Sequence, residues 1–253
     1  MHALSASQLL GVWERALERP HAERALALLA PACPELSPEE LARLSVGRRD
    51  SLLLTLREWT FGPRLVCRAR CERCGEPLEL GFEVSDIRAV QGGEAEGAGA
   101  LTLNVEDYEV TFRLPDSRDL SAVAAEVESG SAGLDGARES LLARCVLRVV
   151  ERGEERAGGA LVLPEQVREA VAARMAEADP QSDIQLALTC PACEHRWSVA
   201  FDIVSYFWSE ITAWAGRTLR EVHALASAYG WREEDILAMS PRRRHAYLEM
   251  VGG

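Results

Sequence analysis

Hydrophobic residues recur at helical spacing from the start of the chain to Gly62. Ser5 and Gln8 have the spacing of a capping box, and Ser37, which precedes a proline, is typical of a further helix start. A helix is predicted around residues 49–59, with core positions at Leu52, Leu53, Leu56 and Trp59. The pattern predicts an N-terminal helical region over residues 1–63.

The pattern then changes to alternation, which is typical of strands. Residues 64–84 read as strand, turn and strand, and residues 92–100 have the composition of a loop. Residues 101–105 and 108–114 predict a hairpin, which we expect to extend the sheet formed by residues 64–84.

The following segments return to helical spacing. Helices are predicted over residues 118–128 and 136–150, and Pro164 opens a third that stops before Asp179. The longest predicted helix covers residues 203–229, with an apolar stripe along one side.

Two Cys-x-x-Cys knuckles carry the clearest candidate chemistry: Cys71, Cys74, Cys190 and Cys193. The sequence of residues 69–84 (ARCERCGEPLELGFEV) aligns without gaps on residues 188–203 (LTCPACEHRWSVAFDI). Two matched half-sites predict one structural Zn²⁺ bound by four thiolates, which would join distant parts of the chain.

Other interpretations of these cysteines are a disulfide pair, a redox dithiol, unrelated buried thiols, or iron in place of zinc. Residues 75–84 alternate like a strand, whereas a thioredoxin-like motif opens a helix, so zinc is favoured. Cys67 and His195 lie near the knuckles in sequence and are interpreted as bystanders. Glu194 stands where the first knuckle has Gly75, which predicts a slightly strained second turn.

The composition describes a folded, acidic chain. Its 253 residues are 47% hydrophobic with a formal net charge of −12, which repels phosphate backbones and makes nucleic acid an unlikely main partner. The first residues show no signal-peptide pattern, and no apolar run has the length of a membrane span. We therefore expect a cytoplasmic protein with reduced cysteines and no membrane association.

Two features of the C-terminal region are candidate partner contacts. Trp208, Trp214 and Trp231 have the spacing of core residues or of aromatic anchors. Arg242, Arg243 and Arg244 read either as a solvated charge run or as a contact with an acidic partner.

No phosphate loop, nucleophile elbow or His-Glu-x-x-His motif occurs in the sequence. A site with four cysteine ligands is closed and leaves no position at which the metal activates water. We therefore expect the protein not to be an enzyme.

Three segments together resemble a known family: residues 112–120 (FRLPDSRDL), the Cys-Pro-Ala-Cys knuckle, and residues 228–248, which include AYGWREEDIL and SPRRR. They are similar to the baseplate hub assembly proteins of contractile phage tails and related phage-tail-like injection systems. The resemblance implies a structural or chaperone-like role in building the baseplate hub, through contacts with hub, spike or tube proteins, and possible incorporation into the injection particle. Zinc rests on the cysteine spacing, not on this resemblance.

The sequence thus predicts an α+β fold, mainly helical, with a small antiparallel sheet that carries a split four-cysteine zinc ribbon. The alternative function is a nucleic-acid-associated zinc-ribbon regulator. The expected regions are an N-terminal helical region (1–63), the first knuckle and sheet (64–116), an inserted helical region (117–182), the second knuckle (183–202) and a C-terminal helical region (203–253).

Overall fold

The N-terminal region consists of helices. The computed structural model describes residues 1–89, 99–131, 133–156 and 163–252, so most of the loop predicted at residues 92–100 lies outside the described residues. Four helices come first: α1 (Ala6–Ala16), α2 (His21–Ala32), α3 (Pro38–Arg43) and α4 (Val46–Phe61). The capping box at Ser5 is confirmed, and Ser37 caps α3 in the same way. Trp59 contradicts its predicted core position, because 49% of it is exposed at the end of α4.

The two knuckles lie on two matching hairpins. Strands β1 (Arg64–Arg70) and β2 (Pro77–Glu83) form the first, and a short helix, α5 (Val84–Ile87), follows it.

The second knuckle hairpin comes much later in the chain. Strands β7 (Gln185–Thr189) and β8 (Arg196–Ala200) form it, and it leads into the long helix α9 (Ile203–Tyr229). The sequence repeat is therefore a repeat of structure, in which a hairpin is followed by the start of a helix.

The chain between the hairpins builds a second sheet. Strands β3 (Leu101–Val105), β4 (Tyr108–Phe112), β5 (Val146–Glu151) and β6 (Glu154–Glu155) pair antiparallel in that order. The expectation that the hairpin at residues 101–114 extends the knuckle sheet is wrong, because that hairpin pairs with β5. The helix predicted over residues 136–150 ends at Cys145, where the β-branched run of β5 begins. The inserted region is thus mixed, not purely helical.

Three helices accompany this second sheet: α6 (Ser117–Glu128), α7 (Leu134–Cys145) and α8 (Glu165–Ala178). The sheet has its own core, in which Val110, Phe112 and Val149 contact Val167 and Val171 of α8. A larger core joins α1 to α4 with the first turns of α9, and a third lies between α9 and the last helices, α10 (Glu233–Ala238) and α11 (Pro241–Gly252). The mainly helical α+β class is confirmed.

Residues 112–120 join the second sheet to the N-terminal helices. The Arg113 guanidinium donates to both carboxylate oxygens of Asp119, and Asp116 caps α6. The buried Arg49 of α4 donates to Ser117 Oγ at 3.3 Å and to Asp50 at 2.8 Å. Buried charges are tolerated where such partners compensate them, so this segment is a structural joint.

The end of the inserted region, at Asp179 and Gln181, also lies beside α4. Gly47 N–H donates to Asp179 Oδ2 at 2.8 Å. Buried Gln181 accepts a hydrogen bond from Ala89 N–H at 2.8 Å and donates to the Ile87 carbonyl at 3.3 Å. The segment that leaves the first hairpin and the end of the inserted region are therefore joined beside α4.

Asp202 connects the second hairpin to α9. Its carboxylate accepts from the N–H groups of Val204 (3.0 Å) and Ser205 (3.3 Å), and His21 Nε2 lies 2.6 Å from Oδ2. Burial opposes ionisation, but hydrogen bonds from His21 and Ser205 lower the pKa of Asp202 to about 2. The ionised carboxylate thus anchors the longest helix to α2.

Within the described part of the chain, no helix combines the length and apolar character that crossing a membrane requires.

We expect Gly47→Ala to destabilise the fold, because the new Cβ would lie 2.0 Å from Asp179 Oδ1 and 2.9 Å from the backbone nitrogen of Ser182. The loss should be about 1–3 kcal/mol. The matched control is Gly216→Ala in α9, whose Cβ meets no atom within 4 Å and which should stabilise by about 0.5–1 kcal/mol. Urea denaturation measures both, and equal effects would contradict the assigned contact.

Asp202→Asn keeps an oxygen for the cap and removes the charge. Because the folded pKa of about 2 lies below the unfolded value of about 3.9, the ionised form contributes stability that is complete above about pH 4 and is lost as the pH falls toward 2. The melting temperature of the wild type should exceed that of the variant at about pH 5, and the difference should shrink at about pH 3. A difference that does not change with pH would contradict the depressed pKa.

Candidate metal centre

Each knuckle is a tight turn closed by the same two backbone hydrogen bonds. In the first, Cys71 N–H donates to the Glu76 carbonyl at 2.9 Å and Gly75 N–H to the Cys71 carbonyl at 2.8 Å. In the second, Cys190 and Glu194 N–H donate in the same way, at 2.9 and 3.0 Å. The turns need a left-handed residue, which is Gly75 (φ 76°) in one and Glu194 (φ 56°) in the other. The predicted strain of the second turn is confirmed.

The four knuckle thiols form one cluster. All their sulfur atoms lie within 4.8 Å of one another, with Cys71 Sγ 3.7 Å from Cys193 Sγ and Cys74 Sγ 3.6 Å from Cys190 Sγ. A tetrahedral ion with metal–sulfur distances of about 2.3 Å separates its ligands by about 3.8 Å. A disulfide needs a sulfur–sulfur distance of about 2.05 Å. The four cysteines therefore could hold a metal ion, and they are not paired as disulfides.

The two half-sites make equivalent contacts with each other. Each shortest sulfur contact joins the first cysteine of one knuckle to the second cysteine of the other. Phe82 and Phe201, which are equivalent in the repeat, meet edge to face with ring centroids 5.9 Å apart. Leu78 and Trp197, also equivalent, pack on the cysteines. The two halves meet face to face, as the repeat predicts.

The four thiols affect one another's ionisation. Burial opposes ionisation of Cys71, but hydrogen bonds from the N–H groups of Cys74 and Arg73 lower its pKa to about 7. The Glu76 N–H favours the Cys74 thiolate. The hydrogen bonds of Cys74 with the other cysteines, together with burial, nevertheless raise its pKa to about 12. Four thiolates so close together repel one another, and a bound cation removes that repulsion.

The nearby residues Cys67 and His195 stay outside the cluster. Cys67 is half-buried on β1, where burial raises the pKa of its thiol. The His195 ring stacks on Trp197, with centroids 5.6 Å apart. Among the described residues, the four knuckle cysteines are the whole candidate ligand set, which leaves no open coordination position on a tetrahedral ion.

Two of the six candidate partner residues are buried and four are accessible. Trp208 is buried beneath the Arg24 guanidinium, which lies 5.1 Å from the ring centroid. Arg244 is also buried, where it donates to Glu221 at 2.9 Å and to the Met239 carbonyl. In this conformation neither residue is available to a partner, and Arg244 does not belong to a solvated charge run.

The other four candidates remain accessible. Trp214 and Trp231 are half-buried, whereas Arg242 and Arg243 are exposed. Trp231 stacks on Tyr229 with centroids 4.4 Å apart and meets Tyr247 edge to face. The Arg243 guanidinium lies 5.8 Å from the Tyr247 ring centroid. The sequence signal for this cluster is the set of aromatic residues on either side of Gly230.

Fold and site together define a mainly helical α+β protein in which two hairpins distant in sequence meet at a four-cysteine cluster. The sequence matches the model of the T4 bacteriophage base plate protein family over residues 21–208. The match covers more than half of the chain and includes both knuckles, so the chain belongs to this family. It ends before residues 228–248, on which part of the expected resemblance rests. No curated protein and no solved structure gives a significant match.

We expect Cys71→Ser and Cys190→Ser each to abolish stoichiometric metal binding, because each removes one of four ligands and the two half-sites are equivalent. The wild type should carry one ion per chain by elemental mass spectrometry, and both variants should melt at lower temperature. Cys67→Ser is the matched control, since Cys67 lies outside the cluster, and it should keep the full metal content. Full metal content in either knuckle variant would contradict a shared centre.

Proposed function

We propose that the protein is a structural or chaperone-like assembly component of the baseplate hub in a contractile phage-tail-like injection system. The observation that carries this proposal is the family match over residues 21–208, which spans α2 to α4, all three sheets and both knuckles. The hub position and the chaperone-like role go beyond that match. They are supported by the sequence resemblance of residues 112–120 and 228–248 to hub assembly proteins. In this role the protein acts through protein contacts and not through catalysis.

We propose Zn²⁺ as the ion at the four cysteines. The donor set supports it, because four thiolates at tetrahedral spacing are typical of structural zinc sites. Zinc in such a site contributes to folding and supplies no reaction centre. In the elemental analysis described above, one zinc ion per chain is expected, and iron in its place would contradict this assignment.

The accessible cluster at the C-terminal end is the proposed contact with hub, spike or tube proteins. It consists of the rings of Tyr229, Trp231 and Tyr247, the Arg243 guanidinium over the Tyr247 ring, and the exposed Arg242. Aromatic and arginine side chains are the usual anchors of protein interfaces. Their position favours a partner with an acidic surface. Assembly of this kind takes place in the cytoplasm, before or during incorporation into the particle.

The proposal is tested by mass spectrometry of proteins that co-purify with the tagged chain from its native cells, with the soluble pool and assembled particles analysed separately. Hub, spike or tube proteins in the soluble pool alone indicate a chaperone, and their presence with the chain in particles indicates a baseplate component. The double variant Arg242→Ala, Arg243→Ala should recover at least about tenfold less of these partners.

The matched control is Arg217→Ala, Arg220→Ala, which makes the same change of charge on an exposed face of α9 and should recover the wild-type amount. Nucleic acid or a metabolic enzyme in place of baseplate proteins would overturn the proposed function. Equal recovery with both double variants would remove the C-terminal cluster from it.

A further inference from the structure

An open cleft lies between the two knuckle hairpins. It measures about 630 Å³, and its walls are β2 on one side and β7 on the other, with Ile87 of α5 between them. This volume is in the range of ligand-binding clefts in proteins. Both walls are strands at the edge of a two-stranded sheet.

The register of β7 shows which of its backbone groups point away from β8. Phe201 N–H donates to the Ile184 carbonyl, and in this antiparallel register Leu186 and Leu188 are the next residues that bond to β8. Gln185 and Ala187 therefore direct their N–H and C=O groups away from β8. Among the described residues, neither has a backbone hydrogen-bond partner on that side. The edge of β7 is open for pairing.

In the other half of the repeat, the equivalent edge is closed by a side chain at one position, Val66. Tyr206 Oη accepts from Val66 N–H at 3.0 Å and donates to the Val66 carbonyl at 3.3 Å. In the register of the repeat, Val66 corresponds to Gln185 and Tyr206 corresponds to Ile87. Ile87 has no hydroxyl group, so the closure seen on β1 does not occur on β7. The two halves therefore differ in whether the strand edge is closed at this position, Val66 in one and Gln185 in the other.

The charge and polarity of the cleft indicate what would fit there. Glu79, Asp86 and Asp183 line it; Glu79 also pairs with Arg68 at 3.5 Å, and Asp86 and Asp183 accept from Glu83 N–H and Gln185 Nε2. Of the lining residues that the structure describes, Arg88 alone carries a guanidinium, which lies 3.4 Å from Glu58. Apolar side chains complete the lining at Phe82, Ile184 and Leu186. The cleft is therefore acidic along its walls and partly apolar. An extended segment with alternating cationic and apolar residues complements it, because successive side chains of a strand point to opposite sides.

We propose that this cleft binds an extended, basic segment of a partner protein, which adds as a strand to the free edge of β7. Main-chain hydrogen bonds to Gln185 and Ala187 supply the affinity, and the carboxylates select cationic side chains. The inference rests on the geometry of the hairpins and does not depend on the proposed baseplate role.

The probe is a fluorescein-labelled ten-residue peptide of alternating lysine and valine, added to the full metal-loaded chain. Fluorescence anisotropy should show saturable binding, and hydrogen exchange at the Gln185 and Ala187 amides should be fast in the free protein and slowed by the peptide. N-methylation of alternate peptide nitrogens should weaken binding by about tenfold, because it removes main-chain donors. A peptide with glutamate in place of lysine should not bind.

The decisive variants are Ala187→Pro and Ser198→Pro. These residues are cross-strand neighbours, both are exposed, and each directs its N–H away from the other strand. Proline at either position removes an outward donor without breaking the β7–β8 ladder. Ala187→Pro should weaken peptide binding by about tenfold, whereas Ser198→Pro should not change it. Metal content and circular dichroism establish that both variants fold.

Three results would overturn the proposal. They are no binding of the lysine–valine peptide at millimolar concentration, equal binding of the N-methylated or glutamate peptide, and slow exchange at Gln185 and Ala187 in the free protein. The last would show that the chain itself already covers this edge.

Discussion

The meeting of four thiols from two distant hairpins is the constraint on which the rest of the structure depends. Neither knuckle has a complete ligand set, so each hairpin has a role only when the other is in place. Binding of a structural metal is worth about 10–16 kcal/mol in small zinc peptides, which is comparable with the stability of a whole domain. An ion at this site would hold α5 and the start of α9 in fixed positions, because both helices follow directly from the hairpins. The large core includes residues of both helices, among them Ile87 and Val204, so its packing depends on these positions.

Residues 112–120, on which part of the family resemblance rests, have a structural role in the fold. Phe112 is fully buried in the core of the second sheet, while Ser117 reaches the buried Arg49 of α4. Between them, the pairing of Arg113 with Asp119 fixes the turn from strand to helix. These residues form a connection between two cores. Their identities are explained by burial and charge compensation.

Local signals carried most of the correct predictions. The caps at Ser5 and Ser37, the end of α9 at Gly230 and the knuckle hairpins each depend on a few neighbouring residues, which the sequence shows directly. The errors depend on distant partners. Val146–Glu151 continues a helical pattern locally but pairs with β4, and the burial of Arg244 requires Glu221 on another helix. The position of the hairpin at residues 101–112 was missed for the same reason, since sheet membership is decided by pairing across the chain.

The free edge of β7 could not be predicted from the sequence. The repeat makes Ile87 and Tyr206 equivalent, yet their difference matters only when the edges of the strands are known. A hydrophobic residue in place of a tyrosine is unremarkable in the sequence. In the fold it leaves one of two related edges without its closing hydroxyl group.

The buried Gln181 has a consequence for how this architecture can vary. Its amide bridges Ile87 and Ala89, where the chain leaves the first hairpin, to the segment that enters the second. The points at which the chain enters and leaves the second sheet and its helices are therefore adjacent. An insert attached there can vary in length without altering the hairpins, provided that it keeps Ser117 and Asp179, which contact Arg49 and Gly47 of α4. Chimeras that exchange the rest of the segment between Ala89 and Gln181 would keep the cysteine centre and present a different outer surface.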